Sequence, residues 1–367
     1  MKNDIRFYAL ALLLSFFFAL PFSSEVVAKT DSGNSEISKK IGNKVYVSSV
    51  DKIWCVDTKS ATSEVVLKSN MGCFYHDIYR VKNNLYYVKA YTEPGYDETA
   101  ICCYNLKNKK EKELCIGDDL RIYNNKIYYL SFDVDKDFDF FEKDKYKHST
   151  GISTMNLDGS DNTIIIDNKH ISKRNADFHI IEGKIYYLSN YDLMCATTKG
   201  NKIKKIYSSP DNYMEIHNYG GELYFGFYGK GESYEIYRYD VKKKSKDKFY
   251  SFNTTNRTDQ SDEYFRQEVI FINNGTVYIS KRNYEKNDTE NNKVTGMLIK
   301  YNIASGKKEK INEVNDRYCD SIMDINKEYS LVGTYIPGDD EYGTDTISIL
   351  DFKNNMFKDI DKWSIVP

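Results

Sequence analysis

Three groupings of side chains in this chain have the make-up for chemistry. The first is acidic. Asp339, Asp340 and Glu341, with Asp345 just beyond, stand with no basic residue among them, and Glu93, Asp97 and Glu98 form a second unopposed run around Tyr96. Such clusters recognise a ligand when a fold converges them, whereas singly each has the composition of a solvated turn. The second is the alternation Asp133-Val134-Asp135-Lys136-Asp137-Phe138-Asp139. Ca²⁺ takes about six to eight oxygen ligands, and an EF-hand loop needs Gly at its sixth position. Phe138 stands there, and Lys136, Lys143, Lys145 and Lys147 dilute the field, so an acidic loop is the expected reading. No cofactor is expected, and Ca²⁺ is the one ion the composition suggests. The third grouping is His179 and His217, with Arg80 and Arg121, each a few residues ahead of a recurring Tyr motif. Side chains so placed would line the centre of a ring of repeats and meet an anionic ligand or water. The commoner role for such groups is a satisfied structural one.

Signatures of catalysis are missing. The chain has no G-x-S-x-G elbow, H-E-x-x-H helix or phosphate loop. Paired carboxylates drawn from distant repeats would leave no local signature. Seven Cys residues show no metal-ligand spacing, and an odd number leaves at least one thiol unpaired within the chain. Cys55, Cys103 and Cys195 share one register of a recurrent motif, which marks a small buried position. A two-residue turn at Asn108-Lys109 would set Cys102 across from Cys115, and a one-residue change would set Cys103 there instead.

The elements that must position these groups are short strands. A motif of turn, polar, aliphatic, Tyr, apolar recurs as Lys44-Val45-Tyr46, Asn84-Leu85-Tyr86, Lys126-Ile127-Tyr128, Lys184-Ile185-Tyr186, Glu222-Leu223-Tyr224 and Thr276-Val277-Tyr278. A degenerate seventh copy is Glu328-Tyr329-Ser330-Leu331. After each comes an aliphatic-x-x-apolar-Asp/Asn motif, as in Ile53 to Asp57, Ile101 to Asn105, Ile236 to Asp240 and Ile347 to Asp351. The Asp or Asn is suited to opening a turn by accepting from nearby amides. The Tyr anchors lie 40, 42, 58, 38 and 54 residues apart. A period of about 40 to 50 residues with four short strands per unit is the mark of a propeller. The expected fold is all-β: a β-propeller of four-stranded antiparallel blades, seven of them, with six or eight as the alternatives. Strands A to D run from the centre outward, with the Tyr motif on B and the Asp/Asn motif on C. With 33 Tyr and 19 Phe, the blades have ample aromatic surface to bury against one another.

The first residues bear on location. Lys2 and Arg6 precede an apolar run from Phe7 to Leu20, then Pro21 and Val26-Val27-Ala28. This is the pattern of a secretory signal at 1–28 with cleavage between Ala28 and Lys29. The run is 14 residues, short of the roughly 20 that span a bilayer. The expected organisation continues with a linker at 29–40, one propeller domain at 41–362 and a tail at 363–367. The mature chain is expected to be secreted or at the cell surface, with no stable membrane span. Its 52 basic and 54 acidic residues give no support for nucleic-acid binding.

The strings Lys126-Ile127-Tyr128-Tyr129 and Met155-Asn156-Leu157-Asp158-Gly159-Ser160 resemble those of a family of bacterial extracytoplasmic propellers of uncharacterised function. That family is similar to the YWTD propellers of lipoprotein receptors and to TolB-type propellers. The resemblance covers about residues 40 to 360. It departs in having one clear Asp-Gly-Ser turn, no Tyr-Trp-Thr-Asp string, and seven units where the receptor type has six. It implies the fold and an extracytoplasmic binding role, and it transfers no catalytic residue. Long insertions fall mostly between B and C strands, on one face, whereas the C–D turns are rich in Lys. The resulting expectation is a disc acidic on its long-loop face and basic on the other. It would bind an extracellular protein, peptide or glycan such as a cell-wall polymer through the acidic loops, with Arg80, His179 and His217 as further contacts. A propeller enzyme acting on carbohydrate is the alternative.

Overall fold

Each Tyr motif forms the second strand of a blade and each Asp/Asn motif the third. The computed structural model describes residues 42–364 apart from 50, 61, 70–72, 92–98, 133–148, 172–176, 210–213, 229–232, 256–262, 286–292, 316, 326–328, 337–343 and 355. The signal segment with Ala28 and Lys29, the run Asp133 to Asp139, and the acidic clusters Glu93, Tyr96, Asp97 and Asp339, Asp340, Glu341 lie outside the described residues.

The strands make seven antiparallel sheets in chain order, a seven-bladed β-propeller. Blade 1 shows β1 (Lys44–Ser49), β2 (Lys52–Asp57) and β3 (Thr62–Lys68) among the described residues. Blade 2 is β4 (Cys73–Val81), β5 (Asn84–Tyr91), β6 (Thr99–Asn105) and β7 (Lys110–Ile116); blade 3 is β8 (Asp118–Tyr123), β9 (Lys126–Phe132), β10 (Ser149–Asn156) and β11 (Thr163–Asp167). Blade 4 is β12 (Phe178–Ile181), β13 (Lys184–Ser189), β14 (Asp192–Thr197) and β15 (Lys204–Ser208); blade 5 is β16 (Glu215–Tyr219), β17 (Glu222–Tyr228), β18 (Ser233–Asp240) and β19 (Ser245–Asn253). Blade 6 is β20 (Glu263–Asn273), β21 (Thr276–Glu285), β22 (Lys293–Asn302) and β23 (Lys308–Asn315); blade 7 is β24 (Tyr318–Ile325), β25 (Tyr329–Ile336), β26 (Thr344–Asp351) and β27 (Met356–Ser364). First strands of successive blades, from β4 round to β24, touch one another, so they are the innermost. No helix of the described residues is long and apolar enough to cross a membrane.

Burial runs without a break along the second strands, because a neighbouring blade covers each face. On β5, Leu85 and Tyr87 pack with Tyr46, Ile53 and Cys55 of blade 1, while Tyr86 and Val88 pack with Leu120, Ile127 and Tyr129 of blade 3. Among the described residues the core therefore divides into seven clusters, each seated at one blade junction. The last joins Met323, Leu331, Ile347 and Ile349 of blade 7 to Val45, Val47 and Val56 of blade 1, which closes the ring. In the degenerate seventh copy Leu331, fully buried, takes the place of the Tyr anchor.

The expected register holds, with Cys55, Cys103 and Cys195 facing Tyr46, Tyr86 and Tyr186 across the strand pair, but only Cys55 and Cys195 are buried and Cys103 is half-buried. The expected two-residue turn does not hold. Asn105 pairs with Lys110, so the turn is residues 106–109 with Lys109 left-handed, and a bulge at Ile101/Cys102 sets Cys115 opposite Ile101. Neither Cys102 nor Cys103 opposes Cys115, and all seven cysteines are thiols. The turn-opening role of the Asp/Asn position recurs. Asp57 Oδ1 accepts from the Lys59 and Ser60 amides, Asn105 Oδ1 from Lys107 and Asn108, Asp240 Oδ1 from Lys242 and Lys243, and Asp351 Oδ1 from Lys353 and Asn354, all at 2.8–3.1 Å.

Candidate functional site

Antiparallel order puts the B–C and D–A connections on one face of the ring, and two polar groupings collect there. One surrounds the ring centre. A carboxylate stands nine residues before the Tyr anchor in four successive blades: Asp77 before Tyr86, Asp119 before Tyr128, Asp177 before Tyr186 and Glu215 before Tyr224. Asp119, Asp177 and Glu215 lie at or beside the start of an innermost strand, and Asp77 lies midway along β4. In blades 2 and 3 a bulge inserts one extra residue there, between His76 and Tyr79 and between Asp118 and Arg121. Asp77 and Asp119 take the left-handed conformation (φ 49° and 51°), which Asp adopts more readily than most residues. The bulge doubles the polar groups at that position, to His76 with Asp77 and Asp118 with Asp119. Re-aiming side chains near functional sites is a recurrent use of bulges.

Arg121, 5 % exposed, is the counter-ion of this arc. Its guanidinium lies 3.5 Å from Asp77 Oδ2 and 3.4 Å from Asp177 Oδ1, so one side chain ties blades 2, 3 and 4. The Leu120 amide donates to Asp77 Oδ2 at 3.2 Å. His179, fully buried, lies 3.6 Å from Asp177 Oδ2, and its Nε2–H donates to the Ile216 carbonyl at 3.1 Å. His76 sits between two carboxylates, Nδ1 at 3.4 Å from Asp77 Oδ2 and Nε2 at 3.4 Å from Asp118 Oδ1. Burial opposes its protonation, but Asp118 and Asp77 together outweigh that and raise its pKa to about 9. Asp119 is pushed up to about 8, first by burial and then by Asp118.

The second grouping is a cleft of about 360 Å³ between blades 5 and 6. That volume is at the low end of the roughly 300–1,000 Å³ of small-ligand sites. Tyr228 and Tyr234 flank the B–C connection of blade 5, and Thr254 and Thr255 leave its last strand, so the cleft opens on the long-loop face. Its apolar floor is the junction cluster of Tyr219, Tyr234, Ile236 and Ile272. Tyr228 and Tyr234 meet edge to face at 5.2 Å, and Tyr228 is 44 % exposed. Tyr234 donates to Glu215 Oε2 at 2.7 Å, and His217 Nε2 is 3.5 Å from the same oxygen. Gly226 makes that reach available, because a Cβ there would stand 2.3 Å from the Tyr234 hydroxyl. On the other wall Arg282 pairs with Glu268, and Arg266 is exposed beside them. Gln267 is fixed by its amide to the Thr254 carbonyl (2.8 Å) and by its side chain to the Asn253 carbonyl (2.7 Å).

Nothing known in sequence helps to name these sites. No family model matches the chain, and no curated protein does. The likeness is to solved propellers, and it is one of fold alone. An oligogalacturonate lyase solved in complex with manganese is 10 % identical over 83 % of this chain and 86 % of that one, with a TM-score of 0.49. A prolyl endopeptidase is 10 % identical over 95 % of this chain but 60 % of that one (TM-score 0.46). A chain of a nidogen/laminin complex is 9 % identical over 74 % and 92 % (TM-score 0.39).

Of the site residues expected from sequence and described, three go to three places. His179 lies at the ring centre. His217 lines the cleft. Arg80 is at neither: its NH1 donates to the Tyr46 hydroxyl at 3.1 Å and its Nε to the Lys82 carbonyl at 3.0 Å, at the junction with blade 1. The strand position equivalent to His179 in blade 2 is Tyr79, opposite Tyr86. Sequence reading missed the carboxylate arc, whose signal was its constant nine-residue offset. It also missed the aromatic cleft, whose signal was Gly226 inside a strand.

Proposed function

We propose that this chain is an exported, non-catalytic binding propeller that holds a short glycan segment in the cleft between blades 5 and 6. The observation that carries the reading is the composition of the cleft: aromatic faces of Tyr228 and Tyr234 beside Glu215, His217, Arg266 and Gln267. Aromatic rings offer apolar surface to the C–H faces of sugars, and the polar groups suit dense hydroxyls. Both cleft carboxylates already accept from a protein donor, Glu215 from Tyr234 and Glu268 from Arg282, which suits fixed acceptors better than an acid and base pair. Export rests on the 1–28 segment, and a cell-wall polymer is the glycan source that suits that location.

The test is a glycan array followed by calorimetry on the best-bound glycan. Tyr234→Ala and Arg266→Ala are each expected to weaken binding at least ten-fold, Arg266→Ala with melting preserved and Tyr234→Ala with a stability loss of about 3–5 kcal/mol that leaves the fold intact by circular dichroism. Binding that survives both changes removes the cleft from the function. Shortening of the bound glycan on incubation replaces the binding reading with the carbohydrate-active enzyme.

A further inference from the structure

The pair of bulges in blades 2 and 3 has a chemical consequence that glycan binding does not use. One donor atom each from His76, Asp77 and Asp118 lies within 4.8 Å of the other two, and Asp77 and Asp118 are buried between innermost strands. Ligands at about 2.0–2.2 Å from a tetrahedral ion stand roughly 3.3–3.6 Å apart. His76 Nε2 and Asp118 Oδ1 are already separated by 3.4 Å. Asp77 completes the arrangement from the other side of the ring. With its Oδ2 3.4 Å from Nδ1, it holds the hydrogen on that nitrogen, so an ion that displaces the proton from Nε2 meets the Nε2 lone pair beside Asp118. A carboxylate holding the remote nitrogen of a ligating imidazole is the usual outer partner of a protein metal ion. Asp77 is itself held, by the Leu120 amide at 3.2 Å and the Arg121 guanidinium at 3.5 Å.

We propose that His76 and Asp118 bind a divalent first-row transition ion such as Zn²⁺ at the centre of the ring, with Asp77 orienting the histidine. Charge and donor type agree with this. Asp77 and Asp177 share the Arg121 guanidinium, and Asp118 faces His76, so once His76 gives up its proton three carboxylates stand against one guanidinium. Asp119 is next in the chain, and its amide donates to Asp118 Oδ1 at 2.8 Å, which holds that oxygen in place. An imidazole nitrogen in the set favours a transition ion over Ca²⁺, which prefers oxygen alone. The ion would bridge blades 2 and 3 on the long-loop face.

The experiment is calorimetric titration of the chelator-treated full chain with ZnCl₂, alongside His76→Gln, Asp118→Asn and Asp77→Asn. One ion per chain is expected, with binding at least 100-fold weaker in His76→Gln and Asp118→Asn and about 10- to 100-fold weaker in Asp77→Asn. Circular dichroism checks that each variant keeps the wild-type fold. Because the chain holds seven thiols, Co²⁺ is bound to the wild type in parallel and its absorption recorded. A spectrum of nitrogen and oxygen ligation supports the site even where a variant fails to fold. No saturable binding, binding unchanged in the folded variants, or a thiolate charge-transfer band overturns it.

Discussion

Arg121 is buried with carboxylates from the blades on either side, and a buried cation in that position is worth most when its loss is considered. Replacing it by Met would leave Asp77, at 3 % exposure, with one fewer donor and no guanidinium. Breaking a buried pair from one side costs about 3–5 kcal/mol because the remaining charge stays desolvated. Asp177 is partly open to water, so the lower end applies: Arg121→Met is expected to lower stability by about 3 kcal/mol in denaturant titration. Adding Asp77→Asn should recover part of that loss, and a double variant no better than the single would refute the pairing. Gly226 makes a second case at this scale. A methyl there meets the Tyr234 ring at 2.3–2.6 Å, so Gly226→Ala must move the ring off Glu215. The expected result is a loss of about 1–3 kcal/mol, the range for overpacking, together with a drop in glycan binding as large as that of Tyr234→Ala.

Turns and bulges decide what the strands present. The Ser60 and Lys59 amides hold the Asp57 carboxyl below the ordinary carboxylate range, as the Lys243 and Lys242 amides do for Asp240 and the Asn354 amide and side chain do for Asp351. A depressed folded pKa contributes order that is complete above the unfolded value of about 3.9 and is lost as pH falls through the folded one. The C–D turns should therefore persist at pH 4 and loosen only in stronger acid. The amide shifts of Ser60, Lys243 and Asn354 in an acid titration would show this, and movement already complete at pH 4 would contradict it. These turns were legible in the sequence because an Asp or Asn closing a strand motif has one local thing to do. The innermost strands were less so. Alternation read backward from Tyr86 has to slip by one at the bulge before Tyr79, and nothing local announces that extra residue. Arg80 departs for a simpler reason: it stands six residues before Tyr86 and pairs with Leu85, whereas Arg121, His179 and His217 stand seven before their anchors and pair with them. The cleft was hidden for another reason: its two walls come from β16–β19 and from β20–β21, and no spacing within one blade encodes a junction between two.

For the ring as a whole, the seven junction clusters mean that no blade has an independent core, and tyrosines sit at six of those seven junctions. Burial raises the phenols of Tyr46, Tyr75, Tyr86 and Tyr187 to about 12, and pushes those of Tyr129, Tyr186 and Tyr224 up as well. A phenol whose folded pKa exceeds its unfolded value of about 10 favours the fold fully below pH 10 and loses that contribution as pH climbs toward the folded value. Summed over blades 1 to 5, the penalty for keeping the ring folded grows steeply between about pH 10 and 12. Tyrosinate absorbance should therefore rise in two stages. Exposed phenols titrate first near their ordinary value, and the buried anchors then ionise in one cooperative step that coincides with loss of the β-sheet circular dichroism. Because the contact of Leu331 and Ile349 with Val45 and Val47 closes the circle, weakening it should move that step for every blade. Leu331→Ala, a buried truncation worth about 2–5 kcal/mol, is expected to shift the whole cooperative rise to lower pH. An unshifted step for the remaining blades, with only a small early component, would mean that the blades unfold separately and that closure does not couple them.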